Sequence, residues 1–513
     1  MNNALSLLLI FHFTFLSFSQ DGTLDLSFGN NGTTIFAIAD KDTRPEAFQL
    51  LNDDSMLIGI DATGGPLIYQ GLYIYRVFPN GQIDSDFGQN GVIYFPYGNN
   101  GPSKIFSMAL QNDGKILVKC KINDESKLLR IDQNGIFDTT FGNNGIASVT
   151  DGMEVKLQSN NKIIVGGQFW DGTNNYYNFS RYNTDGTIDL TFGDNGTVIT
   201  DITSFTYDII MDIAIQSDDK IIAVGMSYSS PVHYRPVITR FNEDGFLDNS
   251  FGDNGTIITS FGSQSILGQI YDVEIYPNDQ IIVGGNLHYS GGTGGFGGSK
   301  PALIKFEIDG SYDTTFGDQG KVVFETIFNA NDSLRTILLQ ADGKILFGGG
   351  ASYPFPIMQT YFYISRLLVD GSRDESFGDD GIFLTNFNNS VTNYVHDFAL
   401  QNNDYILAFG ISRNPDTENI NSIICRLTNE PLSVPNYTVN IPSIIYPNPT
   451  ANFLTIKSDF LISQINVYNK LGQLLLSNSN KNSIDISILN KGMYFVIIKD
   501  IYGKVENNKV IKL

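Results

Sequence analysis

Four carboxylates, Glu154, Asp212, Asp272 and Asp397, stand at one point of a recurring strand-like segment, with Ala47, Ser107 and Thr336 at that point in the remaining copies. The alignment is made on the polar turn that follows each segment. If this strand is the innermost of its sheet, the four acids ring one mouth of a central channel. There they could hold a cation or work as paired acid and base. More often such groups accept backbone N–H donors or water in a polar tunnel, and both readings stay open at this point.

A second set of acids is more regular. Asp25, Asp84, Asp138, Asp189, Asp248, Asp313 and Asp374 are each followed by Phe at the third position and Gly at the fourth, with another Gly three residues on. Asp-rich loops supply oxygen ligands, so calcium is the cofactor these would take. Yet each loop offers few side-chain oxygens, and Asn80 and Asn134 replace one Asp in two copies. The structural reading is stronger: Gly supplies positive φ, Asp locks the turn and Phe fills space between units. No metal site or cofactor is therefore expected.

A cation stands eight residues before six of these acids, at Arg76, Arg130, Arg181, Arg240, Lys305 and Arg366. A bidentate pair would pin each loop to its sheet. Arg426 has no such Asp downstream and Asp25 has no such Arg upstream, which predicts that these two meet each other.

Aromatic and histidine side chains gather where the copies differ most, between the third and fourth strands of each repeat. Trp170, Tyr176, Tyr177, Tyr228, His233, Tyr234, His288 and Tyr289 lie there. Such rings suit stacking on sugars or contact with a protein ligand, although rings also pack beneath long loops. No G-x-S-x-G, H-E-x-x-H or phosphate-binding glycine loop occurs. Two function classes remain: a binding or adhesion module for carbohydrate or protein, and a polysaccharide hydrolase or lyase using the channel carboxylates. The first is the expectation.

The element that must position all of these is a repeat of about 51 to 65 residues, a solenoid or propeller period. Each copy reads as four short apolar or alternating strands, with turns such as SDDK and ADGK between them. Four-stranded units repeated radially are propeller blades. The chain enters at Asp21–Phe36 with the last strand of a blade and ends its repeats at Asp397–Leu427 with three strands that lack a fourth. The predicted fold is thus all-β: a seven-bladed β-propeller closed by the N-terminal strand, then a small β-sandwich.

A formal charge of −22 excludes a nucleic-acid partner. Cys120 and Cys425, each within an apolar run, read as buried hydrophobes rather than a disulfide. Residues 1–19 carry an apolar run too short to span a membrane, ended by Ser17-Phe18-Ser19, and read as a signal peptide without a basic n-region. No further membrane span is expected after its cleavage.

The motif DGxxDxxFGxxG with QxDGKIxxGG resembles the delta-60 repeat family of bacterial β-propellers, whose members imply no single activity. Residues 20–429 are assigned to that propeller and 430–443 to a linker. From 444 to 513 the landmarks Tyr446-Pro447-Asn448-Pro449, Leu471-Gly472-Gln473 and Gly492-Met493-Tyr494 follow in order. They resemble the C-terminal sorting domain of type IX secretion cargo. That resemblance implies type IX machinery as a partner and a secreted or outer-membrane surface-attached location, where a glycan or protein ligand would be met.

Overall fold

The computed structural model describes residues 21–64, 70–96, 103–203, 207–228, 234–261, 267–291, 295–325, 331–352, 359–387, 390–414, 417–429, 444–457, 462–469, 474–479, 481–500 and 505–513. The signal segment, the linker, His233 and the Leu471-Gly472-Gln473 turn lie outside them, as does the side chain of Tyr289. Two compact units are present, 1–432 and 433–513. Strands make up the regular structure, and among the described residues no helix is long and apolar enough to cross a membrane.

The first unit is built of antiparallel four-stranded meanders. Five are separate sheets, and two more share an eight-stranded sheet through a single parallel bridge, Asn175 to Tyr207. The first strands of successive meanders, such as Asp42–Leu50, Lys104–Leu110 and Tyr207–Ile215, each touch the next. The last of them, Asn393–Leu400, touches Asp42–Leu50. Second strands such as Ile221–Tyr228 are buried along most of their length and read as continuous apolar runs, because they are covered on both faces.

The chain's ends share one sheet. Thr33–Phe36 pairs antiparallel with Ile420–Leu427, Thr33 opposite Cys425 and Phe36 opposite Ser422. The sheet order is completed by Ile406–Arg413 and Asn393–Leu400. Both cysteines are buried and unbridged, and burial pushes the Cys120 thiol up to about 12.

Contacts between meanders follow one scheme. The loop Phe of one meander is buried against the turn glycine of the next, where a Cβ would collide: at Gly245 it would meet the Phe192 ring at 2.7 Å. The N–H after that Phe donates to the same turn, as from Gly193 to Asp244 at 2.8 Å and from Gly252 to Asp309 at 3.0 Å. The scheme continues across the chain ends, with Gly29 donating to Asn80 and Gly378 to Asp21, both at 2.7 Å.

In the second unit, sheets Ile444–Tyr446/Phe453–Lys457/Ser483–Asp485 and Leu474–Ser479/Ile462–Tyr468/Gly492–Asp500/Val505–Lys512 enclose one apolar core. Asn448 explains part of its motif. Its side chain donates to Lys509 O at 2.8 Å and accepts from Ile511 N at 3.0 Å, fastening the last strand.

Candidate functional site

Each loop Asp is consumed by structure. Asp189 accepts Thr191 N on Oδ1 at 3.1 Å and Arg181 Nε on Oδ2 at 2.6 Å. The same cation–Asp pairing occurs at Arg130–Asp138, Arg240–Asp248, Lys305–Asp313 and Arg366–Asp374, between 2.8 and 3.0 Å, and more loosely at Arg76–Asp84, 3.5 Å. Arg426 meets Asp25 at 2.7 Å. The expected bidentate fork is not what forms. One carboxylate oxygen is held by the turn, so the guanidinium bonds the other and spreads its remaining N–H groups. Arg181 reaches Thr191 Oγ1 and Glu243 O, while its carbon lies 4.8 Å from the Phe192 centroid. Asp374 is held down to about 2: desolvation opposes this, but Ser376, Arg366 and Lys344 outweigh it. Among the described residues no group of three or more His, Cys, Asp or Glu is placed to hold a metal.

The other acids meet in one cavity. Glu154, Asp212, Asp272 and Asp397 line one cavity of about 790 Å³, together with Ala47, Ser107 and Thr336. All seven have equivalent registers, since Asp212 faces Val224, Asp272 faces Gly284 and Asp397 faces Phe409 across their sheets. Two of them also stitch neighbouring meanders. Asp212 Oδ2 accepts Val273 N at 3.2 Å and Asp272 Oδ2 accepts Ile337 N at 2.7 Å, the backbone-capping role of a polar tunnel. Lys156 Nζ adds an ion pair to Asp212 at 3.2 Å. Burial, then the nearby Asp212 charge, pushes Glu154 up to about 8. Burial likewise lifts Asp397 and Glu274 to about 7 and raises Asp272 well above the usual range.

The sequence reading missed the residues beside this ring. Six first strands carry a β-bulge immediately before the ring position, at Glu46, Phe106, Met211, Tyr271, Arg335 and His396. A bulge re-aims the extra side chain, and all six line the cavity. The detectable signal was the glycine opposite. Gly225, Gly285, Gly349 and Gly410 stand there in four meanders, where a Cβ on Gly285 would sit 1.9 Å from Gln269 O and one on Gly349 would sit 1.8 Å from Ser333 O, whereas Ile60 and Cys120 take that point beside the Glu46 and Phe106 bulges.

The aromatic candidates divide. Trp170 is half exposed and stacks on Tyr207 at 5.8 Å and 5°. Tyr207 stacks on Tyr228 at 4.8 Å, and Tyr228 meets Tyr234 edge-on at 5.0 Å. Tyr207, absent from the sequence candidates, bridges the set. Tyr176 Oη bonds Asp171 Oδ2 at 3.1 Å. Tyr177 corrects the expectation: it is fully buried in an apolar cluster, because adjacent strand residues face opposite ways. His288 is partly buried, and burial lowers its basicity.

Residues 444–512 match the secretion system C-terminal sorting domain, and 158–192, 216–251 and 340–377 match a β-propeller domain of unknown function, DUF5122. The chain is a propeller protein with a type IX sorting tail. That tail marks this propeller protein for export, to be secreted or attached at the cell surface. No curated protein matches the propeller protein. Solved structures similar to it include virginiamycin B lyase from Staphylococcus aureus, 11% identical with TM-score 0.41 over 76% of this chain and 98% of that one. Polysaccharide lyase Uly1 is 8% identical, TM-score 0.46, over 81% and 94%. The α-L-arabinofuranosidase Arb93A from Fusarium graminearum is 7% identical, TM-score 0.37, over 78% and 98%.

Proposed function

We propose that this exported protein is a carbohydrate-binding or adhesion module, carried on a seven-bladed propeller at residues 20–429 whose last blade is completed by Thr33–Phe36. The observation that carries the binding reading is the stacked set Trp170–Tyr207–Tyr228–Tyr234, at the loop end of two neighbouring meanders, with Trp170 open to solvent. Tyr207 and Tyr228 cover one another's faces, so the outer face of Trp170 is the surface left for a sugar ring. Trp170→Ala should abolish retention on a glycan array while leaving thermal unfolding unchanged. Full retention by that variant would overturn the assignment.

The signal peptide at 1–19, the linker at 430–443 and the address at 444–513 complete the proposed organisation. The address segment has a separate charge, with eight Lys from Lys457 to Lys512 against four acids. Removing Ser433–Leu513 should leave a folded propeller that is not delivered to the surface. Normal delivery of the truncated protein would refute the division of labour.

One observation favours a second reading, a polysaccharide hydrolase or lyase: Glu154 and Asp397 share a cavity and titrate near neutrality, as general acids and bases must. Asp212 and Asp272 are poor tests because they hold neighbouring backbone. Glu154→Gln and Asp397→Asn are the informative variants, read as turnover across a polysaccharide panel.

A further inference from the structure

Six bulges and the equivalent point at Met153 place one extra residue per meander around the cavity, immediately beside the carboxylate ring. Elsewhere the copies repeat one another: loop Asp, loop Phe and turn Gly recur each time. At this position they diverge, and the divergence is ordered. Consecutive meanders contribute Tyr271, Arg335, His396 and Glu46 on one side, and Phe106, Met153 and Met211 on the other.

The polar side has spare bonding capacity. Arg335 makes no ion pair or hydrogen bond among the described residues, and its guanidinium carbon lies 5.2 Å from the Tyr271 ring centroid. Its guanidinium is exposed, with five N–H donors open to solvent or to a ligand. His396 lines the same side; its Nδ1 is buried out of reach and without a hydrogen-bond partner among the described residues, so Nε2 is the nitrogen that can meet a ligand. Glu46 is occupied by Lys104 at 3.2 Å. One layer away, the carboxyl groups of Glu154 and Asp397 face the same space.

We infer that the cavity binds a carboxylate-bearing sugar ring. Arg335 takes the sugar carboxylate in a two-point contact, His396 and the carboxyl groups take hydroxyls, and the ring's apolar face rests on Phe106, Met153 and Met211. A simple organic acid would leave the carboxyl acceptors unused, and a neutral sugar would leave Arg335 unpaired. The volume of about 790 Å³ is within the usual range for such ligands. This site is separate from the Trp170 surface, and the two can fail independently.

The test uses the mature full-length chain and titration calorimetry with oligogalacturonate, the matching neutral galactose oligomer, and glutarate. Oligogalacturonate should bind at least about tenfold more tightly than either control. Arg335→Gln should remove about tenfold or more of that affinity, Arg335→Lys should fall between, and Trp170→Ala should leave it unchanged. Arg335 is exposed, so its variants should keep the wild-type melting temperature, which is measured alongside. Equal binding of acidic and neutral oligomers, no binding of the acid, or full affinity in Arg335→Gln would overturn the site. Glutarate bound as tightly as the uronate would overturn the sugar. Loss of uronate binding in Trp170→Ala alone would transfer it to the outer surface.

Discussion

The turn loops and the carboxylate-lined cavity are built from the same repeat, yet they treat its acids in opposite ways. In the girdle every loop Asp has a cation and a turn N–H, and the same residue types return at each copy. In the cavity the carboxyl groups crowd one another, and the bulge residues beside them change from copy to copy. Recurrence therefore marks what holds the meanders together, whereas divergence at a geometrically fixed point marks what the ring has been adapted to do.

The largest test of this contrast is Arg366→Ala. Arg366 is 1% exposed and bonds both Asp374 at 2.8 Å and Asp21 at 2.7 Å, so its loss strands the buried Asp21 and leaves Asp374 with Lys344, at 3.2 Å, as its cation. Urea unfolding should show a loss of about 3–5 kcal/mol, and a cost below about 1 kcal/mol would mean the girdle is not structural. Arg426→Ala should approach Arg181→Ala in the same assay if the ring closes as proposed. A much smaller effect would break the equivalence of the chain-end pair.

Next in size is Gly285→Ala, whose Cβ must displace the Gln269 carbonyl. A cost of about 1–3 kcal/mol is expected, and the moved bulge should also weaken ligand binding through Tyr271. Unchanged stability would show that the bulge is not held by its glycine partner.

The two regions should also separate by pH. Girdle acids such as Asp374 have a folded pKa below the unfolded one, so their stabilisation is complete above about pH 4 and is lost as pH falls toward about 2. Glu154 and Asp397 have raised values, so ionising them opposes folding, and stability falls as pH rises from about 4 through 7 to 8. Melting temperature against pH should slope in both windows, and Glu154→Gln should reduce the slope only in the upper one, where Asp397 and Glu274 still contribute. An unchanged upper slope would remove Glu154 as its source. The smallest effect belongs to Trp170→Ala, within about 0.5 kcal/mol in stability.

Much of this was legible because a strand has period two: aligning copies on a turn fixed the ring from Ala47 to Asp397 without coordinates. A bulge inserts one residue and breaks that period, so Tyr271, Arg335 and His396 were invisible to alternation. Tyr177 was misplaced because residue type outweighed parity: Tyr176 and Tyr177 cannot share a face. Tyr207 escaped because it opens a first strand rather than lying in the loop of its stacking partner Trp170. The girdle pairs were foreseen, but the bidentate fork expected of them does not form, since the turn has already taken one oxygen of each Asp.

The pairing of Thr33–Phe36 with Ile420–Leu427 has a kinetic consequence. Asp25 and Arg426 are 401 positions apart, so the strand synthesised first is placed last. Contacts this distant form slowly, although the chain entropy of closing so long a loop grows only with the logarithm of its length. Until the final repeat is made, the early meanders stand as an open array with two unpaired edges. The joining of these strands should therefore be the late, rate-setting event of assembly, and a newly made chain stalled before Ile420 would still expose both edges to other chains.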